Sequence, residues 1–174
     1  IWYLPIALLV RFSSPGPVLF KQKRTGYMGR EFSCLKFRTM RLNAEADELQ
    51  ATANDPRITR IGHFLRKTSL DELPQVFNIF KGEMSFVGPR PHMLKHTQEY
   101  SAIIDKYMVR HFAKPGLTGW AQINGYRGET RELWQMEKRV EYDIWYIENW
   151  NILLDLKIIF LTFVLLFKGD DNAV

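Results

Sequence analysis

The stretch that most limits how this chain can fold runs from residue 59 to residue 91, TRIGHFLRKTSLDELPQVFNIFKGEMSFVGPRP. Within it, Ser69 begins an S-x-x-E pattern that ends at Glu72. The apolar residues that follow have helical spacing: Leu73, Val76, Phe77, Ile79 and Phe80. This order predicts a capped, amphipathic helix that carries Asp71 and Glu72 in its first turn. Pro74 is compatible with that helix because proline is tolerated near a helix beginning.

The two adjacent carboxylates have a structural and a functional interpretation. A capping box requires Glu72 at its position, and the helix dipole favours Asp71 at its own. Around them lie four arginines, Arg57 just before this stretch and Arg60, Arg66 and Arg90 within it, and a Gly-Pro-Arg-Pro turn. A helix cap needs none of these, whereas guanidinium groups pair with phosphate oxygens in bidentate fashion. We therefore expect a phosphate-handling site, in which a carboxylate at a helix N-terminus stays ionised at neutral pH.

Length and composition narrow the class of protein. With 174 residues the chain corresponds to one domain that can bury a core. Its net charge of +5 and its pI of about 9.4 suit an anionic partner such as nucleic acid, phospholipid or a phosphorylated substrate. The single cysteine, Cys34, excludes an internal disulfide and is interpreted as a small core residue of a protein in a reducing compartment. Aromatic residues make up 14% of the chain, which suits a membrane interface.

Both ends of the sequence are apolar. The first twelve residues, IWYLPIALLVRF, lack a methionine and a basic leader, so we expect a continuation upstream rather than a signal peptide. Ten residues before Arg11 are too few to span a bilayer, which takes about 20, and Pro5 would break or kink a membrane helix. Residues 151–167, NILLDLKIIFLTFVLLF, carry Asp155 and Lys157 and read as a helix lying in the membrane interface. For each segment a buried core helix is the alternative.

Between the ends, the sequence predicts a β-hairpin of residues 18–26 and 30–40, joined at Tyr27–Gly29. Its basic positions indicate either a solvated face or a surface that meets phosphate or membrane. Helices are predicted at residues 42–54, 58–65, 92–111 and 129–150. The apolar face of the third is predicted to contain Tyr100, Ile103, Ile104 and Tyr107. Residues 114–125, KPGLTGWAQING, read as a glycine-punctuated loop and short strand whose backbone can approach a ligand.

Histidine spacing offers a metal site as a competing hypothesis. His92 and His96 are four residues apart and could share one helix face, as zinc ligands do. No Glu-x-x pattern or cysteine ligand accompanies them, so oxygen-liganded Mg²⁺ at the carboxylates is the preferred expectation.

Six motifs together resemble one family, the bacterial sugar transferases. They are SSPGPVLFKQKRTG, LKFRTM, DPRITRIGHFLRKTSLDELPQ, GEMSFVGPRP, KPGLTGWAQINGYRGET and LLDLKIIFLT, in the family's order and over nearly the whole chain. The resemblance implies a single domain over residues 1–174, of the monotopic polyprenyl-phosphate phosphoglycosyl transferase type. That domain is α+β and mainly helical, with a small hairpin. It has a re-entrant first helix, of which residues 1–12 would be a remnant, and interfacial amphipathic helices, of which residues 151–167 would be one.

The resemblance also implies an activity. Such enzymes transfer a sugar 1-phosphate from a UDP-sugar to undecaprenyl phosphate with Mg²⁺, releasing UMP, as a first membrane step of exopolysaccharide or capsule assembly. They work at the cytoplasmic face of the bacterial inner membrane. The sequence from Gly125 to Trp150 looks most like members that transfer glucose 1-phosphate. Partners expected on this basis are the UDP-sugar, undecaprenyl phosphate and membrane lipid, with no nucleic acid, and a homodimer is carried as a further expectation.

The family's site residues carry over to this sequence as follows. Asp71 would be the nucleophile, forming a phosphosugar-aspartyl intermediate, and both Asp71 and Glu72 would bind Mg²⁺. Phosphate-binding roles would fall to Arg66, Arg90, Lys36 and Arg38. Nucleotide-binding roles would fall to Pro115, Gly116, Thr118, Gly119, Gln122 and Asn124.

Two other classes of function stay open at the level of sequence. A basic nucleic-acid-binding module would explain the pI and the aromatic residues, although the basic positions are spread out and no helix-turn-helix or RNA-binding signature is present. A non-catalytic scaffold on a membrane surface would make the Asp71–Glu72 pair a helix cap only.

Overall fold

A computed structural model describes residues 3–42, 55–128, 130 and 132–168, without the side chains of residues 167 and 168. The described helices are α1 Tyr3–Ser13, α2 Arg60–Lys67, α3 Gln75–Phe80, α4 Leu94–Ile103, α5 Trp120–Ile123, α6 Leu133–Glu148 and α7 Ile152–Lys168. The strands are β1 Leu19–Thr25, β2 Glu31–Phe37, β3 Ser85–Val87 and β4 Gly116–Thr118. Short 3₁₀ turns cover Tyr27–Gly29, Leu70–Glu72 and Tyr107–Phe112. The predicted mixture of helices with small sheets is confirmed, while the helix predicted for residues 42–54 lies almost wholly outside the described residues.

The hairpin forms as predicted. Strands β1 and β2 pair antiparallel from Leu19↔Phe37 to Thr25↔Glu31, and Cys34 is buried in β2 opposite Gln22. Burial raises the pKa of the Cys34 thiol, which fits the small core residue expected from the sequence. The hairpin therefore supplies a rigid strand, β2, on which later parts of the chain are built.

A second, smaller sheet explains the glycines of the 114–125 segment. Strands β3 and β4 pair in parallel at Ser85↔Gly116 and Val87↔Thr118. A Cβ on Gly116 would lie 2.1 Å from the Gly88 nitrogen, and one on Gly119 would lie 2.2 Å from the Gly88 oxygen. Here the glycines let two segments of main chain touch each other, because any side chain would collide with backbone.

The two apolar ends each bury one side of a helix and expose the other. Helix α1 packs Ile6 and Val10 against Phe37 and Leu65, and α7 buries Leu154 and Ile158. Many residues on the other sides of both helices are apolar and exposed: Leu4, Leu8, Leu9 and Phe12 in α1, and Ile152, Leu153, Leu156, Phe160, Phe163, Val164 and Leu166 in α7. Helix α1 runs past Pro5 to Ser13, and the break or kink expected at Pro5 stays a prediction. Across the described residues, every helix is too short or too polar to cross a membrane.

The predicted helix over residues 92–111 is wrong as a single element. Helix α4 ends at Ile103, Ile104 is extended, and Lys106 adopts a positive φ of 57° before the 3₁₀ turn of Tyr107–Phe112 begins. This break leaves Ile103 59% exposed, so it does not share the predicted apolar face. It also turns Tyr107 into a buried cluster with Met136 and Val140 of α6, and that packing outweighs helical continuity.

The other two predicted helices are present with shifted limits. Helix α2 begins after Thr59, whose side chain accepts a hydrogen bond from the Gly62 N–H at 2.9 Å. Helix α6 begins at Leu133, after a capping box between Glu132 and Gln135, whereas the prediction began at Glu129, which is not among the described residues. Both starts follow hydrogen-bonding side chains that satisfy the first free N–H groups of a helix.

Substitution of Gly62 tests how closely α2 packs against the main chain at Thr39, just after β2. A Cβ at this position would lie 2.0 Å from the main-chain oxygen of Thr39. Helix propensity alone predicts that Gly62→Ala stabilises the protein by about 1 kcal/mol. We expect instead a loss of about 1–3 kcal/mol, measured as a lower midpoint of thermal unfolding, because backbone must move to relieve the overlap. Substitution of the exposed neighbour, His63→Ala, is the control; a midpoint for Gly62→Ala at or above wild type would contradict the packing.

Candidate active site

The carboxylate dyad lies on a 3₁₀ turn rather than at the start of a capped α-helix. Ser69 has a φ of 57° and makes no side-chain cap, so the predicted capping box between Ser69 and Glu72 is wrong. The left-handed backbone turns the Ser69 hydroxyl away from the helix, and its Oγ accepts a hydrogen bond from Arg127 Nη2 at 2.8 Å. Pro74 immediately precedes α3, close to its predicted place in the first turn. Glu72 therefore does not cap a helix, and its side chain contacts residues from distant parts of the chain.

Glu72 is held by three cations that come from distant parts of the sequence. Lys36 Nζ and Arg90 Nη2 each lie 2.8 Å from Glu72 Oε1, and Arg127 Nη2 lies 3.5 Å from Oε2. The residue is only 5% exposed. Burial by itself would raise the pKa of Glu72, but Arg90, Lys36 and Arg127 outweigh that effect and hold the pKa well below its ordinary value of 4.5. Glu72 is therefore a carboxylate that is ionised at neutral pH and paired with three cations.

Asp71 is buried like its neighbour but has far fewer polar contacts. It is 7% exposed, yet its carboxylate accepts no hydrogen bond from the other described residues. Among those residues, its ion pair within 4 Å is with Lys36 Nζ, at 4.0 Å. Burial raises the pKa of Asp71, opposed by Lys36 and reinforced by the charge of Glu72. The direction is opposite to the one expected from a helix N-terminus, because loss of solvation outweighs the short turn's dipole.

This contrast defines what the two carboxylates can do. A buried carboxylate without hydrogen bonds is unfavourable unless a ligand, a cation or a reacting atom meets it. Asp71 therefore has carboxylate oxygens that accept no hydrogen bond from the other described residues, while Glu72 pairs with the surrounding cations. Asp71 fits a nucleophile or a metal ligand, and Glu72 fits an electrostatic anchor.

The predicted phosphate-binding residues separate into two groups. Lys36 and Arg90 contact the dyad directly, and Arg66 has Asp71 as its strongest electrostatic partner while its Nε donates to Thr39 Oγ1 at 2.9 Å. Arg38 is buried and donates to the Ser14 hydroxyl at 2.6 Å and to the main-chain oxygens of Ser14 and Pro17 at 2.8 and 2.6 Å. Arg38 thus stabilises the turn after α1, and its phosphate-binding role stays a prediction.

Arg57 and Arg60, the other two arginines expected near the dyad, have different surroundings. Arg57 pairs with Asp55, with 2.6 Å between Nη2 and Oδ2, and Arg60 is exposed at the start of α2.

Among the described residues, Gln122 is the predicted nucleotide-binding residue that contacts a partner of the dyad, namely Arg90. Its Oε1 accepts a hydrogen bond from Arg90 Nη1 at 3.3 Å. Thr118 shares a hydrogen bond of 2.7 Å with Thr162 of α7, and Asn124 donates to the Trp120 oxygen at 2.8 Å. Pro115, Gly116 and Gly119 lie along β4 and its close contact with the Gly88 region. Their roles toward a nucleotide stay predictions.

Arg127 is a site residue that sequence reasoning did not assign. It lies in the GYRGET motif, between Gly125 and Gly128, but the motif alone indicates no role for it. An arginine in a short Gly-Tyr-Arg-Gly segment without apolar periodicity is the signal that could have identified it. Its contact with Glu72 requires the fold, because residues 72 and 127 come together only in the tertiary structure.

Helix α6 supports the main chain on both sides of this charge cluster. Arg110 is buried, donates to Asp143 Oδ2 at 2.6 Å, and also donates to the main-chain oxygen of Arg90 at 2.7 Å. Arg139, one turn before Asp143, donates to the Gly128 oxygen at 2.6 Å. Both segments that deliver an arginine to Glu72 are therefore tied to one helix.

The histidine pair considered as a metal site lies in this supporting core. His92 is buried with its Nδ1 2.6 Å from the Tyr107 hydroxyl, and its ring centroid lies 6.5 Å from that of His96. Burial lowers the pKa of His92 well below its ordinary value, so the ring is neutral and packs as a core side chain.

The charge cluster predicts how stability depends on pH. Because the pKa of Glu72 is depressed in the folded state, its contribution is present above pH 4.5 and is lost as pH falls through the folded-state value. Replacing Glu72 with Gln removes the buried charge that pairs with Lys36, Arg90 and Arg127, so we expect a loss of about 3 kcal/mol at pH 7. The variant should also show a flatter decline of unfolding free energy below pH 4.5 than wild type, measured by urea titration at several pH values. Equal stability at pH 7 with the same acid decline would contradict the geometry.

Comparison with known proteins identifies the family to which the chain is similar. The family profile described as bacterial sugar transferase matches residues 1–169. The chain is 56% identical over 169 residues to the UDP-glucose:undecaprenyl-phosphate glucose-1-phosphate transferase of Escherichia coli (strain K12), covering 96% of this chain and 36% of that protein. It is 46% identical over 166 residues to the Caulobacter vibrioides protein of the same name, covering 95% of this chain and 62% of the relative.

A relative with another sugar in its name is also similar. The Aeromonas hydrophila UDP-N-acetylgalactosamine-undecaprenyl-phosphate N-acetylgalactosaminephosphotransferase is 40% identical over 168 residues, covering 95% of this chain and 39% of that protein. The chain thus spans about a third of the length of the E. coli relative. With nearly its whole length matched, the chain belongs to the bacterial sugar transferase family.

Proposed function

We propose that this domain transfers a sugar 1-phosphate from a UDP-sugar to undecaprenyl phosphate and releases UMP. The observation that carries the proposal is the asymmetry of the dyad, in which three cations engage Glu72 while Asp71 accepts no hydrogen bond from the other described residues. The names of the E. coli and Caulobacter relatives support the same reaction. The nucleic-acid-binding and scaffold hypotheses gain no support from these relatives. A homodimer stays a prediction.

In the first half-reaction, an Asp71 carboxylate oxygen attacks the phosphorus that carries the sugar. A bond forms between that oxygen and phosphorus, the bond from phosphorus to the bridging oxygen breaks, and the electron pair leaves with UMP. The product is a phosphosugar-aspartyl intermediate. Charge on the phosphate oxygens must be neutralised in this step, and Lys36, Arg66 and Arg90 are the cations placed around Asp71 to do so.

In the second half-reaction, a phosphate oxygen of undecaprenyl phosphate attacks the same phosphorus. The aspartyl–phosphorus bond breaks and returns the electron pair to Asp71, which regenerates the carboxylate. A covalent intermediate lets a water-soluble donor and a lipid acceptor use one site in turn, because the two substrates never need to be bound together.

Mg²⁺ fits the residues present only in combination with a substrate. The described residues hold no group of three or more carboxylate, histidine or cysteine ligands, so protein atoms would supply at most Asp71 and Glu72. Mg²⁺ commonly takes one or two carboxylates and completes its shell with water and substrate phosphates, and the open Asp71 oxygens suit this arrangement. When bound, the ion would neutralise charge on the diphosphate.

Glucose is the sugar we propose, on two grounds. The E. coli and Caulobacter relatives, at 56% and 46% identity, carry glucose in their names, whereas the Aeromonas relative with N-acetylgalactosamine is 40% identical. The resemblance of residues 125–150 to glucose-transferring members points the same way. A panel of UDP-sugars assayed for UMP release with undecaprenyl phosphate would rank the donors directly.

We further propose that the domain works at the cytoplasmic face of the bacterial inner membrane. A polyprenyl acceptor stays in the bilayer, so the dyad must lie at the depth of lipid phosphates. Helices α1 and α7 expose many large apolar side chains, among them Phe12 and Phe160. Contiguous apolar surface of this kind is typical of a site that contacts a membrane or a partner. The half-exposed Trp145 and exposed Trp150 near α7 are typical of the membrane–water interface.

The nucleophile assignment gives the first test. Asp71→Asn keeps the shape of the side chain but removes the attacking charge, so we expect turnover to fall by more than about a thousandfold, with the unfolding midpoint near wild type. UMP release from UDP-glucose and undecaprenyl phosphate measures turnover. Asp105→Asn, at an exposed position after α4, is the matched control and should be fully active. Near-normal UMP release by Asp71→Asn would show that another group attacks.

The membrane assignment gives a second test. Leu153 and Phe160 are 73% and 66% exposed on α7, and inserting such side chains into lipid contributes about 1.5–3 kcal/mol each. We expect Leu153→Glu and Phe160→Glu each to lower partition into phosphatidylglycerol–phosphatidylethanolamine vesicles by about tenfold or more, measured by flotation. Glu137→Gln, exposed on α6, should float like wild type. Unchanged flotation of both α7 variants would remove this helix from the membrane surface.

A further inference from the structure

Asn78 of α3 connects the segment after the dyad to the strand that carries Lys36. Its side chain is completely buried, with 0% of its surface exposed. Its Oδ1 accepts a hydrogen bond from the Leu35 N–H at 3.0 Å, and its Nδ2 donates to the Ser33 oxygen at 2.8 Å. The same Nδ2 lies 2.7 Å from Glu83 Oε2. Because both ends of the amide have main-chain partners on β2, its orientation is fixed.

These contacts replace a missing strand partner. One edge of β2 pairs with β1, with Cys34 opposite Gln22. On the other edge, Asn78 satisfies the C=O of Ser33 and the N–H of Leu35, which would otherwise be buried without partners. The side chain thus imitates one rung of a β-ladder and fixes how α3 sits along β2.

The position of that rung matters for the dyad. Lys36 directly follows Leu35 in β2, and its Nζ contacts Glu72 at 2.8 Å and Asp71 at 4.0 Å. The Asp71–Glu72 turn ends just before α3, the helix that contains Asn78. We propose that Asn78 is a positioning residue, which holds β2 and α3 in the alignment that brings Lys36 to both carboxylates. This inference rests on the function proposed above for the dyad.

A purely structural role for Asn78 predicts something different. A buried amide that only stabilises the core would lower the free energy of unfolding and leave the chemistry of each folded molecule unchanged. A positioning role predicts that Lys36 moves relative to the dyad, since displacement of a catalytic group by about 1 Å can lower rates about a hundredfold. Whether Lys36 keeps its position beside the dyad therefore distinguishes the two roles.

The experiment compares four versions of the 174-residue chain. Asn78→Asp keeps the acceptor for Leu35, removes the donor to Ser33, and places a carboxylate beside Glu83. Asn78→Asp combined with Glu83→Gln restores a donor–acceptor pair at that contact with the roles exchanged. Val140→Ala, a buried apolar position in α6, is the control for lost core stability. Each is measured for UMP release with UDP-glucose and undecaprenyl phosphate, corrected for the folded fraction.

A second readout does not depend on activity. Acylation of lysines by an N-hydroxysuccinimide ester, read by mass spectrometry, reports how strongly Lys36 is held. Exposed Lys21 and Lys23 on β1 serve as internal references. If wild type releases no UMP, the proposed function fails, and the Lys36 labelling still decides whether Asn78 positions this lysine.

The positioning role predicts a specific pattern. Asn78→Asp should lower kcat about 10- to 100-fold with little change in KM for UDP-glucose, and it should raise Lys36 acylation relative to Lys21. The double variant should recover part of both effects, and Val140→Ala should show neither. If Asn78→Asp does not fold, Glu83→Ala, which removes one of the amide's contacts at a half-buried site, should still raise Lys36 acylation and lower kcat modestly. The proposal would be overturned if Asn78→Asp folds and keeps the kcat and the Lys36 acylation of wild type. If Asn78→Asp does not fold, the same result for Glu83→Ala would overturn it.

Discussion

The ionised side chain of Glu72 is the interaction on which the site depends. A buried carboxylate is unfavourable without charge partners, and Lys36, Arg90 and Arg127 supply them. The four groups stabilise one another only when β2, the segment after β3, and the segment after α5 are all in place. One carboxylate therefore couples the formation of the site to the completion of the fold. Its neighbour Asp71 gains a set of nearby cations without being bound by them.

That arrangement solves a general difficulty of carboxylate nucleophiles. A carboxylate that forms strong ion pairs is a weak nucleophile, whereas one without cations nearby cannot receive a diphosphate. In the proposed function the adjacent pair divides the two tasks, because Glu72 forms ion pairs with the cations before substrate binds and Asp71 accepts no hydrogen bond from the other described residues. Phosphates that enter the site can then recruit the same cations from Glu72 as charge develops. The support of both arginine-bearing segments by α6, through Arg110 and Arg139, keeps this exchange within a rigid frame.

Much of the local structure could be predicted from the sequence, because it follows from short-range patterns. Alternating residues and the turn at Tyr27–Gly29 gave the hairpin, and apolar runs gave α1 and α7. Errors arose where long-range contacts override local preference. The S-x-x-E pattern at Ser69 reads as a cap, yet Glu72 gains more from three distant cations than from one N–H. The continuous helix over residues 92–111 failed for the same reason, since Tyr107 gains more by packing on α6. Arg127 had no local signal strong enough to connect it with residue 72.

In the proposed function, the site and the exposed apolar surfaces of α1 and α7 together let Asp71 meet a soluble diphosphate and then a lipid phosphate. The most direct test is mass spectrometry of the intact domain after incubation with UDP-glucose in the absence of lipid acceptor. The account predicts an added mass of one hexose phosphate located on the peptide that contains Asp71, which disappears when undecaprenyl phosphate is added. An unmodified protein that nevertheless releases UMP only when the lipid acceptor is present would contradict the covalent role of Asp71.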